Sequence, residues 1–227
     1  MKTLVLALAA STVASAALIY DTAVTGADLT SSRTESSGKI VTGGGYSTDG
    51  KDLTIAWDIQ FLGGGVWQYK YTISGYSAPA ISHTILDLSD DCTSSASMCV
   101  IDPTLNGSAI GAGSLEYSNF KSGAGNPGFP VGPSIAGIKF DVGSSDPNVI
   151  MFTSMRSPVW GDIYGKGGSS SFFYNVGLTL HATSMDVNDF IARPNGLGGP
   201  AIPEPGTFGL MAGAAGLLAF VARRRMA

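Results

Sequence analysis

Charge, histidine and cysteine are all scarce in this chain of 227 residues, and each scarcity removes a class of function. Charged residues make up 13%, about half of the ~25% usual in globular chains, so a solvated polyelectrolyte is excluded. Two histidines and two cysteines are too few for a multi-ligand zinc site or an iron–sulfur cluster. Seventeen acids against thirteen cations give a net charge of −4, the wrong sign for gripping a phosphate backbone. Glycine, by contrast, is abundant at 31 residues, about twice its average share. The length suits one domain with a real core plus short appendages.

Both ends read as addresses. Lys2 is followed by an apolar run, Thr3 to Ala10, and then by Ala14-Ser15-Ala16. A cation, a short apolar stretch and a small-residue ending are the three parts of a secretory signal. Residues 1–16 are therefore expected to be a signal peptide cut after Ala16 by signal peptidase, which implies passage through the general secretion machinery. At the other end, Gly206 to Ala222 carries no charge and Arg223-Arg224-Arg225 follows at once. At ~1.5 Å per residue this run reaches about 25 Å, near the lower limit of a membrane-spanning helix. The arginines place residues 223–227 in the cytoplasm, and Lys2 places the start of the signal there too. Everything between is expected across the membrane. Once Lys2 and the three terminal arginines are set aside, 9 cations face 17 acids, a net charge of about −8. An acidic exported body is repelled by nucleic acid and by anionic lipid.

Ahead of the apolar run stands Ile202-Pro203-Glu204-Pro205, a rigid extended tripeptide behind an isoleucine. Pro-Glu-Pro, a glycine- and alanine-rich apolar span and a terminal arginine cluster together resemble the PEP-CTERM sorting signal of certain Gram-negative bacteria, over residues 202–227. The resemblance implies recognition of Pro203, Glu204, Pro205, Arg223, Arg224 and Arg225 by an exosortase, a membrane-embedded cysteine transpeptidase. It also implies removal of the tail near the motif. Within the span, Gly209 and Gly213 are read as small residues that let the processing enzyme approach, in preference to a helix-dimerisation pair.

The body, residues 17–192, reads as β structure. Leu53, Ile55, Trp57, Ile59 and Phe61 alternate with Thr54, Ala56, Asp58 and Gln60, and after Gly63-Gly64-Gly65 the period resumes with Trp67, Tyr69, Tyr71 and Ile73. This predicts a long antiparallel hairpin with an aromatic face. Further strands are predicted at 39–42, 81–88, 98–101, 115–120, 135–142, 148–154, 158–164 and 171–182. No window shows a helical stripe, so the fold class is all-β, an antiparallel sandwich or jelly roll. Residues 193–205 read as a Pro/Gly linker. Cys92 and Cys99, in an exported chain, are expected to pair and to pin the serine-rich loop after Asp90-Asp91.

Catalytic patterns are missing. There is no G-x-S-x-G elbow, and only His83 and His181 offer an imidazole base. The Gly-Lys pairs at 38–39, 50–51 and 165–166 lack the Ser or Thr of a P-loop, and Pro127 denies Gly123 to Gly128 a following helix. Glu35 and Glu116, the body's two glutamates, form no spaced pair. Two weaker constellations remain. Asp87, Asp90 and Asp91 form an acidic corner that suits Ca²⁺, beside Ser82-His83. Trp160 and Tyr164 share a strand face, with Asp162 between them, in the segment Ser157 to Gly168; exposed, such a pair stacks on sugar rings, and packed, it belongs to the core. That segment, with Trp67, Tyr69, Tyr71, Ser82-His83, Cys92 and Tyr174 to Gly177, also resembles more loosely the exported bodies of PEP-CTERM proteins. The resemblance implies a β-rich surface domain and assigns no catalytic residue.

The expectation is a noncatalytic surface or extracellular-matrix protein associated with exopolysaccharide or biofilm, requiring no cofactor. A carbohydrate- or calcium-binding adhesion module and a secreted hydrolase are the rivals.

Overall fold

The computed structural model describes residues 18–144, 146–180 and 183–196. The expected signal peptide 1–16, the apolar span 206–222 and the basic end 223–227 lie outside the described residues. Among the described residues no helix is long and apolar enough to cross a membrane.

Fourteen strands follow one another: β1 (Thr30–Thr34), β2 (Ile40–Gly43), β3 (Thr54–Gly63), β4 (Val66–Ser74), β5 (Ile81–Asp87), β6 (Ile101–Leu105), β7 (Ser108–Ala109), β8 (Leu115–Lys121), β9 (Ser134–Ser144), β10 (Asn148–Ser154), β11 (Pro158–Gly161), β12 (Ile163–Gly167), β13 (Ser171–Asn175) and β14 (Ile191–Pro194). They form a first six-stranded sheet in the order β1-β3-β4-β10-β6-β7 and a second in the order β2-β13-β12-β5-β9-β8. A two-stranded ribbon, β11-β14, completes the set. The chain is nearly all β, and its sheets are antiparallel.

The β3–β4 hairpin forms as the alternation predicts. Trp57 pairs with Tyr71 and Phe61 with Trp67 in register. Its turn needs three successive positive φ angles, 92°, 61° and 81° at Gly63, Gly64 and Gly65, a conformation that residues with a Cβ resist. Ile55, Trp57 and Ile59 on β3 and Tyr69, Tyr71 and Ile73 on β4 are buried. The hairpin tip outruns the core, so Phe61 is 58% exposed and rests on the Trp67 ring at 4.9 Å.

Both sheets feed one core. Leu86, Ile138, Phe140 and Phe173 of the second sheet join the hairpin residues and Ile150 and Phe152 of the first. The Phe140 and Phe152 rings stack across the interface at 6.1 Å. Strand β5 is covered on its other face as well, where Ile85 meets Phe120, Phe129, Ile135, Tyr164 and Leu178. Each large side chain buried this way contributes about 1.5–3 kcal/mol. The Tyr69 and Tyr71 hydroxyls, deep in the core, donate to the carbonyls of Arg156 and Ala192, both at 2.8 Å. The ribbon and the chain leading into it are thereby tied to the hairpin.

Several expectations are corrected. Residues 158–164 are two strands in different sheets, because the backbone breaks at Asp162, whose carbonyl accepts from Asp87 N at 3.0 Å. The strand expected over 171–182 stops at Asn175, and Gly177–Leu180 forms one helical turn. Residues 98–100 form a bend with Met98 at φ 54°, and the strand begins at Ile101. The boundary expected between residues 192 and 193 falls inside β14, where Val159 pairs with Arg193 and Pro158 with Pro194. Strand β1, Thr-Ser-Ser-Arg-Thr, carries no apolar alternation. Its one buried side chain is Arg33.

Candidate functional site

Of the two readings of segment 157–168, an exposed aromatic pair or a packed one, the packed one holds, for the rings are inside. Trp160 is 3% exposed and Tyr164 is fully buried. Trp160 meets Trp57 edge to face at 6.1 Å, and the Arg33 guanidinium lies 5.6 Å from its ring. Tyr164 packs on Phe129 at 5.0 Å and donates its hydroxyl to Pro127 O at 2.7 Å. Neither ring can stack on a sugar from this position. Asp162 is also buried, so the sugar-platform alternative for Trp160, Asp162 and Tyr164 falls: the break after Gly161 carries the segment into the second sheet as β12.

The acidic corner comes apart in a comparable way. Asp87 is 2% exposed and its Oδ2 sits 3.0 Å from Arg193 Nε. The Tyr20 hydroxyl donates to the same oxygen at 2.9 Å, and Asp162 N approaches it at 3.3 Å. Asp91 turns instead to Arg156, with Oδ2 at 3.1 Å from Nη2. Asp90 points to solvent. Among the described residues no group of three or more His, Cys, Asp or Glu side chains could hold a metal ion. The three candidate Ca²⁺ ligands therefore do not converge.

Arg193 is the residue that reading the sequence missed. Expected in a flexible linker, it is 1% exposed at the centre of a charged cluster. Its guanidinium bonds Asp21, donates to Pro194 O at 2.9 Å and to Ser89 Oγ at 3.3 Å, and lies 5.4 Å from the Tyr20 ring. Gly161 makes room for it, since a Cβ there would overlap the arginine side chain. The one available signal was an arginine following Ile191-Ala192 in a chain with surplus acids.

Electrostatics follow from the burial. Desolvation pushes the Asp87 carboxyl up to about 6, against the pull of Arg193 and the Tyr20 hydrogen bond. Burial and the Asp87 charge hold the Asp162 carboxyl well above the usual carboxylate range, although Asn175 donates to it at 2.7 Å. Burial alone would lower the Arg193 guanidinium, but Asp87, Tyr20 and Asp21 outweigh it and raise it. The cluster fastens the segment at Tyr20 and Asp21, strand β5 and the last strand to one another. Asp87, Asp162 and Arg193 are shut from solvent, and the cluster meets the surface at Asp21.

His83 faces an amide. Its Nε2 lies 3.2 Å from Asn126 Oδ1, its ring 6.3 Å from Tyr164, and burial lowers its pKa. Ser82 Oγ donates to Lys166 O at 3.0 Å. His181 lies outside the described residues. The Cys92–Cys99 disulfide is formed, closing the loop after Asp91.

The folded body is thus a nearly all-β domain of antiparallel sheets, bearing a buried charge cluster. Residues 201–225 match the family described as the PEP-CTERM protein-sorting motif. Pro203, Glu204, Pro205, Arg223, Arg224 and Arg225 fall in that match, outside the described residues. The motif implies a protein exported and sorted by an exosortase-type system, in association with the membrane of a Gram-negative cell envelope. No curated protein and no solved structure matches the chain.

Proposed function

We propose that the chain is a noncatalytic surface or extracellular-matrix protein whose β-sandwich body is delivered by exosortase sorting and associates with exopolysaccharide. The observation that carries the reading is the sorting motif at residues 201–225. In this reading signal peptidase releases residues 1–16, the span 206–222 holds the precursor in the inner membrane, and the exosortase cuts near Pro203-Glu204-Pro205. Two six-stranded sheets sharing one core support the sandwich. The histidine held by an amide and the buried pairing of Asp87 with Arg193 support a binding role over hydrolysis. The acidic body disfavours nucleic acid as a partner.

The test is the intact mass of the mature protein from its native host, together with the cell fraction that holds it. Loss of both ends, with the protein at the cell surface or in the medium, is expected. A mass retaining residues 206–227, found in the inner membrane, would overturn processing and leave a membrane-held periplasmic domain.

A further inference from the structure

A cleft of about 330 Å³ opens at the edge of the second sheet, between β8 and the loop that follows β5. That volume is at the lower end of the range for ligand pockets. Its floor is built from the two smallest side chains available. Ser118 pairs with Gly137 and Asn119 with Ala136, and Gly137 has no room for a Cβ, which would overlap Leu86 O. Gly137 thus lies tight against β5, and the trough runs beside the edge strand.

The loop wall is held in place from three directions. Cys92 N donates to Ser89 O at 2.8 Å, the disulfide joins Cys92 to Cys99, and Asp91 pairs with Arg156. A wall fixed in advance spares a ligand the entropy of ordering it.

Two polar side chains of the trough are unspent. Asp90 and Asn119 are exposed, and neither side chain has a hydrogen-bond partner among the described residues. Tyr117 lies beside them with its hydroxyl sealed from solvent and its ring packed on the core, so it is not offered to a ligand. Thr93 adds a hydroxyl. A carboxylate accepts, a carboxamide both donates and accepts, and hydroxyls do either. A ligand that satisfies all of them must offer donors and acceptors at adjacent positions, which is the chemistry of vicinal hydroxyls. The charge of the body, about −8, repels acidic polymers.

We propose that this cleft binds a neutral glycan through Asp90 and Asn119. The assignment deepens the surface-polysaccharide reading above and rests on it. It places recognition at the rim of the second sheet, away from Trp160.

The probes are neutral hexasaccharides of glucose, mannose and galactose. They are titrated into the full-length protein in a detergent without a sugar headgroup and followed by calorimetry and saturation-transfer NMR. At least one hexasaccharide is expected to bind, with Asp90→Ala and Asn119→Ala each weakening it about tenfold or more. Lys51→Ala, exposed and outside the cleft, is expected to leave binding unchanged. Failure of all three probes to bind, or binding indifferent to both cleft substitutions, would overturn the assignment. The surface reading is judged separately by fractionation with the host polysaccharide. If wild type and the Asp90→Ala/Asn119→Ala variant co-fractionate equally, that reading stands and the cleft falls. If neither leaves the inner membrane, the surface reading fails on its own.

Discussion

Asp87 and Asp90 stand three residues apart, yet one is sealed in the protein and the other is left to solvent. Asp87 ends a strand that is covered on both faces, and its carboxylate is engaged by Arg193, Tyr20 and Asp162 N. Asp90 lies past the strand, on a loop whose neighbours Asp91 and Cys92 are both tied down. The difference is one of partners, which arrive from the two far ends of the chain. A carboxylate whose bonds are all made holds a structure together. One whose surroundings are rigid while its own bonds are unmade is available to a ligand.

The largest break in this contrast should come from Arg193→Met. Removing the guanidinium leaves the Asp87 charge buried without its partner, which costs about 3–5 kcal/mol, read as a lower midpoint in urea. Adding Asp87→Asn should recover part of the loss, so the double variant falls short of the sum of the singles. Full additivity would mean that the two groups are not coupled.

Opening the Cys92–Cys99 loop by a Cys→Ser pair should cost about 2–3 kcal/mol through the freer unfolded chain. It should also loosen the cleft wall. An unchanged denaturation midpoint would show that the pinning of this loop comes from Asp91–Arg156 instead.

The pH dependence sharpens the comparison. Asp87 titrates at about 6 when folded against 3.8 as a free carboxyl. Between those values the folded state holds more proton than the unfolded one, so stability falls as pH rises through the window. Asp162, also raised, acts in the same direction. Asp52 and Asp186 are lowered by hydrogen bonds from Ser36 and Lys39, so their contribution is present above 3.8 and lost as pH falls below it. The decline from pH 4 to 6 should therefore flatten in Asp87→Asn. Thermal midpoints across that range that do not decline in the wild type would refute the assignment.

The smallest effect is expected at the open end of the pair. Asp90→Ala and Asn119→Ala should each shift stability by no more than about 0.5 kcal/mol. A larger loss in chemical denaturation would make these residues structural and close the contrast.

Much of the fold was legible wherever one face of a strand is wet and the other dry. The β3–β4 hairpin declares itself because Ile55, Trp57 and Ile59 alternate with polar residues and a glycine run marks the turn. Strand β1 was silent because its buried residue is an arginine that reaches the Trp57 ring, 4.8 Å away. The break at Asp162 was silent too, since the alternation of Trp160, Asp162 and Tyr164 runs straight through a change of sheet. Strand β14 hid behind Arg193-Pro194, which reads as linker chemistry. Of the cleft, Asp90 was named and Asn119 was not. No local pattern announces an unmade hydrogen bond.

What the sequence determined alone is the sorting motif and the β character of the body. Both are written in short stretches: Pro-Glu-Pro, an apolar span and a basic end, or a period of two. Proline geometry, apolar transfer and strand alternation act on neighbours, so linear order suffices for them. Only the tertiary structure decided which aromatics are core, which aspartates are paired and where a cleft stays open. Burial and pairing depend on contacts between distant parts of the chain, such as Asp21 with Arg193 or Phe140 with Phe152, and these exist only once the sheets have packed.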